Sequence, residues 1–304
     1  MILARTSKIR IILILLFLSI ILVVIWLRKE ENDGTEGFSQ ETEFVLKEGD
    51  DIFDEFYAQI YSIINEPGIF VDSVSNSVIK YTSIKPDESS LLLVASDTGE
   101  QSNSLKSKGY DINTLFKYKY MLEQARISYP SLNSKLSDVD NPMTYDKSTF
   151  SHTLCLGNII YTIKDKIVFF RNIYNWLIPN GIFLLQLSDR SKFNTIKTSN
   201  NLGLIDSPQK YHDERITDSE IDFGSFKYLS RYDFRDAESD GLVYLSETFT
   251  DKYTKQVRKN EHILYMENID EILNKAFICG FSVSTKIDIV EDEHQFIYVL
   301  SRKH

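Results

Sequence analysis

The sequence predicts an α/β protein: a doubly wound, mostly parallel sheet with an antiparallel β insertion, preceded by one transmembrane helix. Three observations predict it. From about residue 50 to residue 188, short apolar runs alternate with amphipathic helical stretches, the pattern of a sheet covered by helices on both faces. Three segments of period-two character follow, at 226–234, 242–249 and 256–266, and read as an antiparallel meander attached to the main sheet. Near the N-terminus, residues 11–27 are apolar except for Ser19.

That apolar run has 17 residues. At 1.5 Å each it reaches roughly 26 Å, enough for a bilayer core. Arg5, Lys8 and Arg10 precede it, Arg28 and Lys29 follow, and Trp26 sits at the second boundary, where an amphipathic ring is favoured. No small-x-small cleavage site follows, so the run reads as a retained single-pass anchor rather than a signal peptide. The flanking charges favour a cytosolic N-terminus with the domain across the membrane. The absence of any N-x-[ST] sequon argues for the other side, and the side stays open. The chain then divides into a flank (1–10), the span (11–27), a polar acidic tether (28–48) and one domain (49–304), in which 189–267 forms a substrate-facing insertion.

The elements follow in order. Phe53, Phe56, Tyr57, Ile60, Tyr61 and Ile64 have helical spacing after Asp51, which predicts a helix over 51–64 capped by Asp51. A second helix covers 69–83. The continuous apolar run 91–95 predicts a strand buried on both faces. A helix over 100–108 stops at Gly109. A short strand at 110–112 leads into a helix through Leu115, Tyr118, Leu122 and Ala125. Strands are expected at 132–137 and 150–156, a strong helix at 164–177, and a fifth strand at 182–187 after Pro179-Asn180-Gly181. Past the meander, a helix at 268–278 with Asp270 in its first turn precedes a strand pair at 281–289 and 295–300.

Composition narrows the function. The 304 residues carry a formal net charge of −10, which excludes bulk nucleic-acid binding. The two cysteines, Cys155 and Cys279, exclude a disulfide framework and a cysteine-rich zinc site. The five histidines are scattered without metal-ligand spacing, so no metal is expected. His262, within a predicted strand, reads as structural. Oligomeric state is not legible.

Ligands of doubly wound sheets bind beyond the carboxyl ends of the strands. The first such end reads Leu91-Leu92-Leu93-Val94-Ala95-Ser96-Asp97-Thr98-Gly99-Glu100. Here the chain resembles class I S-adenosylmethionine (SAM)-dependent methyltransferases, whose first strand runs into a glycine-rich loop often ending Thr-Gly. Gly109-Tyr110-Asp111 resembles their second strand, 150–156 their fourth, and 169–187 their helix, turn and fifth strand. Cys279-Gly280-Phe281 resembles the closing strand. The resemblance covers roughly residues 51–302. It implies a Rossmann-like seven-stranded sheet, SAM as cofactor, and methyl transfer to an oxygen or nitrogen acceptor whose identity does not carry over.

Cofactor-binding residues are implied accordingly: Ala95, Asp97 and Gly99 in the loop, Asp111 toward the ribose hydroxyls, Asp138 toward the adenine, Leu156 after the fourth strand, and Tyr57 and Tyr61 on the helix that covers the cofactor. Asn158 and Tyr161 are implied substrate contacts, and no catalytic residue is nameable. Bland readings stand beside these: Asp111 as a turn or cap residue, Asp138 as a polar loop residue, Tyr57 and Tyr61 as core. Departures also matter. Leu93 stands where the family has an acid, and Ala95 and Asp97 stand where it has glycines. Asp97 adds a negative charge that either repels the cofactor carboxylate or pairs with its ammonium or sulfonium. The alternative is therefore a catalytically inactive, membrane-tethered scaffold or binding module. A nucleotide-sugar or dinucleotide enzyme on a similar sheet lacks its glycine fingerprint.

Overall fold

The computed structural model describes residues 43–65, 68–94, 97–196, 215–234, 241–289 and 292–303. Strand β1 (Phe44–Glu48) opens the described chain, followed by helices α1 (Glu55–Asn65) and α2 (Gly68–Thr82). The alternating part comprises β2 (Leu91–Leu93), α3 (Glu100–Ser107), β3 (Ile112–Phe116), α4 (Lys119–Ser128), β4 (Asn133–Leu136), β5 (Phe150–Cys155), α5 (Lys166–Trp176) and β6 (Leu177–Ser188). Four strands follow: β7 (Asp218–Asp222), β8 (Phe226–Asp233), β9 (Leu242–Asp251) and β10 (Val257–Tyr265). Helix α6 (Ile269–Ile278) and strands β11 (Phe281–Ile289) and β12 (Asp292–Arg302) close the chain.

Seven strands form the main sheet in the order β11-β12-β6-β5-β2-β3-β4. Strands β2 to β6 pair in parallel, and β12 runs antiparallel to both β6 and β11. Chain order reverses between β2 and β5, which makes the carboxyl ends of those two strands the switch-point crevice. Alternate residues of the central strands feed two cores. Leu92, Leu115, Phe183 and Leu185 join Phe169, Phe170, Ile173 and Trp176 on one face. Leu91, Leu93, Ile112, Leu154 and Leu184 join Val74, Val78 and Leu105 on the other. Each fully buried side chain of this size contributes about 1.5–3 kcal/mol.

The remaining strands form a separate five-stranded sheet, β1-β10-β9-β8-β7, not a meander continuous with the main sheet. It packs Ile221, Tyr228 and Phe249 against Ile52, Tyr57, Ile60 and Ile64. The opposite side of α1 places Ala58 against Phe116, Met121, Leu122 and Ala125. Helix α1 is thus clamped between the second sheet and the β3–α4 unit.

Three local expectations change. Residues 44–48, expected in the tether, form β1, which pairs in parallel with β10 from Phe44↔Val257 to Glu48↔Glu261. Helix α1 begins later than expected, and Asp54, not Asp51, accepts the Tyr57 N–H at 3.1 Å. Leu115 lies in β3 rather than in a helix, because Ile112, Thr114, Leu115 and Phe116 are all buried as in a strand covered on both faces. Among the described residues no helix is long and apolar enough to cross a membrane; the expected span 11–27 lies outside them.

Candidate functional site

The loop between β2 and α3 sits at the switch point. Val94 continues the pairing by donating its N–H to Leu154 O at 2.9 Å. Ala95 lies outside the described residues. Gly99 has φ +85°, and a Cβ there would lie 3.0 Å from Leu132 Cδ1 and 3.2 Å from Ala125 Cβ. Only glycine meets both the left-handed backbone and the close approach to α4. Asp97 folds back on the loop: the Thr98 N–H donates to its Oδ1 at 2.7 Å. Thr98 is buried, and its hydroxyl accepts from Ser62 Oγ of α1 at 3.1 Å. Glu100 is the first residue of α3 and lies near Ser62 and Thr98, whose hydroxyls temper the rise of its carboxyl.

Both carboxyl groups are electrostatically exposed to one another. Burial pushes the Asp97 carboxyl above the usual carboxylate range, against the pull of backbone amides. Burial also raises Glu100, with Asp97's charge adding to it. Among the described residues no lysine or arginine forms an ion pair with either. The loop therefore carries two carboxyl groups with no cationic partner among the described residues, beside the positive end of a helix.

The carboxyl ends of β3 and β4 form a second part of the site. Lys117 Nζ lies 3.1 Å from Asp50 Oδ1 and 3.9 Å from Asp138 Oδ2. The Tyr118 hydroxyl donates to Asp50 at 3.1 Å, and its ring stacks on Phe53 with centroids 3.7 Å apart. Asp138 is thus placed at the expected end of the sheet. Asp111 is not: it is exposed and precedes β3, at the opposite end of that strand. The strand was expected at 110–112 and runs from Ile112 to Phe116, so its carboxyl end lies four residues later, where Asp50 meets Lys117.

Beyond β5, Leu156 is buried in the core beneath the sheet. Asn158 is exposed, with its Oδ1 accepting from Ser188 Oγ at 3.4 Å. Tyr161, expected at the cleft, is 1% exposed. Its hydroxyl accepts from Ser188 N at 2.7 Å and donates to Ser188 O at 3.2 Å, so it ties a turn to the end of β6.

Helix α1 carries the site toward the second sheet. Tyr57 and Tyr61 meet edge to face, 5.7 Å apart. Burial raises the Tyr61 hydroxyl, followed by the charges of Asp97 and then Glu247. Glu247, on β9, is 3% exposed. It accepts from Tyr228 Oη at 2.8 Å, Asn260 Nδ2 at 3.4 Å and His262 Nε2 at 2.7 Å. Burial alone would raise its carboxyl; His262, Tyr228 and Tyr57 outweigh burial and hold it at about 2. Sequence reasoning missed Glu247, Asn260 and Tyr228. The available signal was parity: Glu247 shares its strand face with the buried Val243 and Phe249, where period two predicts an apolar residue. Among the described residues no cluster of three His, Cys, Asp or Glu side chains is placed to hold a metal ion.

No family model matches the sequence, and no curated protein matches it. Solved structures do match. A SAM-dependent methyltransferase from Clostridium acetobutylicum superposes with a TM-score of 0.61 at 16% identity, over 82% of this chain and 98% of its own. The CcbJ methyltransferase from Streptomyces caelestis gives 0.64 at 12% identity, over 84% and 100%. A SAM-bound amino pentose methyltransferase of calicheamicin biosynthesis from Micromonospora echinaspora gives 0.58 at 15% identity, over 83% and 98%. At these identities the likeness is one of fold.

Proposed function

The fold is that of class I SAM-dependent methyltransferases, and we propose that this chain is such an enzyme, held at a membrane by residues 11–27, which methylates a nitrogen or oxygen acceptor. The observation that carries the reading is the pair Asp97 and Glu100 at the switch-point loop, pushed toward protonation by burial and without a cationic partner among the described residues. SAM bears an ammonium and a sulfonium, so the donor set fits it. Asp97 and Glu100 would hold the cationic end. Gly99 permits the close turn. Asp50 and Asp138, beside Lys117, would face the ribose and adenine. Tyr61 closes the site from α1. When bound, SAM supplies an electrophilic methyl group, and the protein's part is mainly to orient the acceptor and exclude water. The amino pentose acceptor of one structural neighbour supports an amine as the acceptor class.

One observation favours the inactive alternative: the Asp97 carboxylate already occupies its own loop amide at Thr98. Calorimetric titration of the purified full-length protein with SAM separates the two. Micromolar binding that Asp97→Asn weakens at least tenfold supports the enzyme. Absence of binding at millimolar SAM, restored by Asp97→Gly, supports the inactive module. The anchor reading rests on the apolar run, its basic flanks and Trp26. Resistance of the protein to alkaline carbonate extraction from vesicles tests it, and protease protection reports the side on which the domain lies.

A further inference from the structure

An acceptor N–H or O–H must lose a proton when it is methylated, and the reading above leaves that proton without a destination. We propose that His262 is the general base that takes it and that Glu247 is the residue that positions His262. The inference rests on the proposed methyltransferase activity.

The geometry is that of an oriented imidazole. Glu247 Oε2 lies 2.7 Å from His262 Nε2. A carboxylate only accepts hydrogen bonds, so the contact with Glu247 requires a proton on His262 Nε2 and leaves Nδ1 as the nitrogen that can exchange its proton. His262 makes no other hydrogen bond among the described residues, and its side chain remains 12% exposed. Nδ1 is the free, reachable nitrogen of an otherwise buried cluster.

The groups facing His262 come from every neighbouring element. Glu247 comes from β9, and Asn260 lies two residues away on β10. Tyr57 of α1 packs 6.0 Å from the imidazole, and Phe53 6.2 Å from it. Tyr228 of β8 bonds Glu247 from the other side, and Tyr61 and Tyr232 sense its charge. Arg258, the nearest cation on β10, is bound to Asp54 at 2.8 Å and to Asn260 at 2.9 Å. Phe53 joins this cluster to the ends of the main-sheet strands: its ring lies 6.2 Å from the imidazole and stacks at 3.7 Å on Tyr118, whose hydroxyl donates to Asp50. A buried ion pair is weak evidence for stability as its purpose; one whose second ring nitrogen has no partner among the described residues suits proton transfer.

The step balances simply. The acceptor's N–H or O–H bond breaks, its proton forms a bond to Nδ1, and the electron pair stays on the acceptor atom. The resulting imidazolium faces the Glu247 carboxylate, which stabilises it.

The test is nitrogen NMR of full-length protein in detergent, with ring-labelled histidine and with His262→Gln for assignment. The expected result is a His262 ring that keeps its Nε2 proton on Glu247 and whose Nδ1 resonance shifts on saturation with S-adenosylhomocysteine. His152, held by Ser151 at 2.9 Å and near Thr82 O, stays fixed. Glu247→Gln should populate the Nδ1-protonated tautomer, which a merely structural pair would not link to the ligand response. A wild-type ring protonated at Nδ1 would overturn the inference. So would an unmoved His262 resonance when calorimetry shows S-adenosylhomocysteine bound. No calorimetric binding at all overturns the proposed function first, and the base with it.

Discussion

Two acidic sites lie against α1, and they are solved in opposite ways. At the second sheet, Glu247 is surrounded by His262, Tyr228, Asn260 and Tyr57, and its carboxyl is held at about 2 despite burial. At the switch-point loop, Asp97 and Glu100 have hydroxyl and amide partners but no cation among the described residues, and burial raises both. Burial is common to the two sites, so it is the supply of positive charge that separates them. One carboxylate is completed by the protein itself. The other two have no cation among the described residues, and in the proposed function a ligand completes them.

The largest effect should come from undoing the completed site. Replacement of Glu247 by Ala leaves His262, Tyr228 and Asn260 without their shared acceptor, and should cost about 3–5 kcal/mol in urea unfolding. Its pH signature has a definite sign. The Glu247 carboxyl is depressed when folded, so its contribution is present above the ordinary glutamate range. It disappears as pH falls toward about 2, a span worth about 3 kcal/mol. A wild-type stability profile unchanged by Glu247→Gln between pH 5 and pH 2 would remove the distinction between the sites.

Gly99→Ala comes next. The new Cβ would meet Leu132 and Ala125 at a positive φ, so unfolding stability should drop by roughly 1–3 kcal/mol. A drop within error would mean that the loop is free to move off α4.

The open site predicts the reverse pH sign on a smaller scale. Asp97 and Glu100 are raised when folded. Their contribution to stability is therefore full below the ordinary carboxylate range and is lost as pH rises through their elevated values. Asp97→Asn should flatten that limb and stabilise the ligand-free protein near neutral pH. Destabilisation by this variant would mean that a cation already compensates the site.

Much of the main sheet was legible. The order of strands and helices, the capping region of α6 with Asp270 in its first turn, and the loop at 97–100 follow from periodicity and from glycine and proline punctuation. What stayed hidden depended on pairing at a distance. Strand β1 has an alternating, half-exposed pattern, and only its ladder to residues 257–261 marks it. The Glu247 cluster draws Tyr57, Tyr228, Asn260 and His262 from three separate elements beside its own strand, and no sequence spacing unites them. Asp111 was misplaced for a local reason: a strand and a helix meet within Ile112 to Tyr118, where both periods fit the apolar residues. The exposed position of Asp111 gives the smallest prediction. Asp111→Ala should change stability by less than about 0.5 kcal/mol and leave SAM affinity unchanged, whereas a lost affinity would restore it to the cofactor site.

The central claim is that the loop carboxylates wait for a cation that SAM brings. Calorimetric titration of the full-length protein with SAM, wild type against Asp97→Asn, tests it most directly. The account predicts micromolar binding in the wild type and at least tenfold weaker binding in the variant. Equal or tighter binding by the variant, or no binding by either at millimolar SAM, would contradict it.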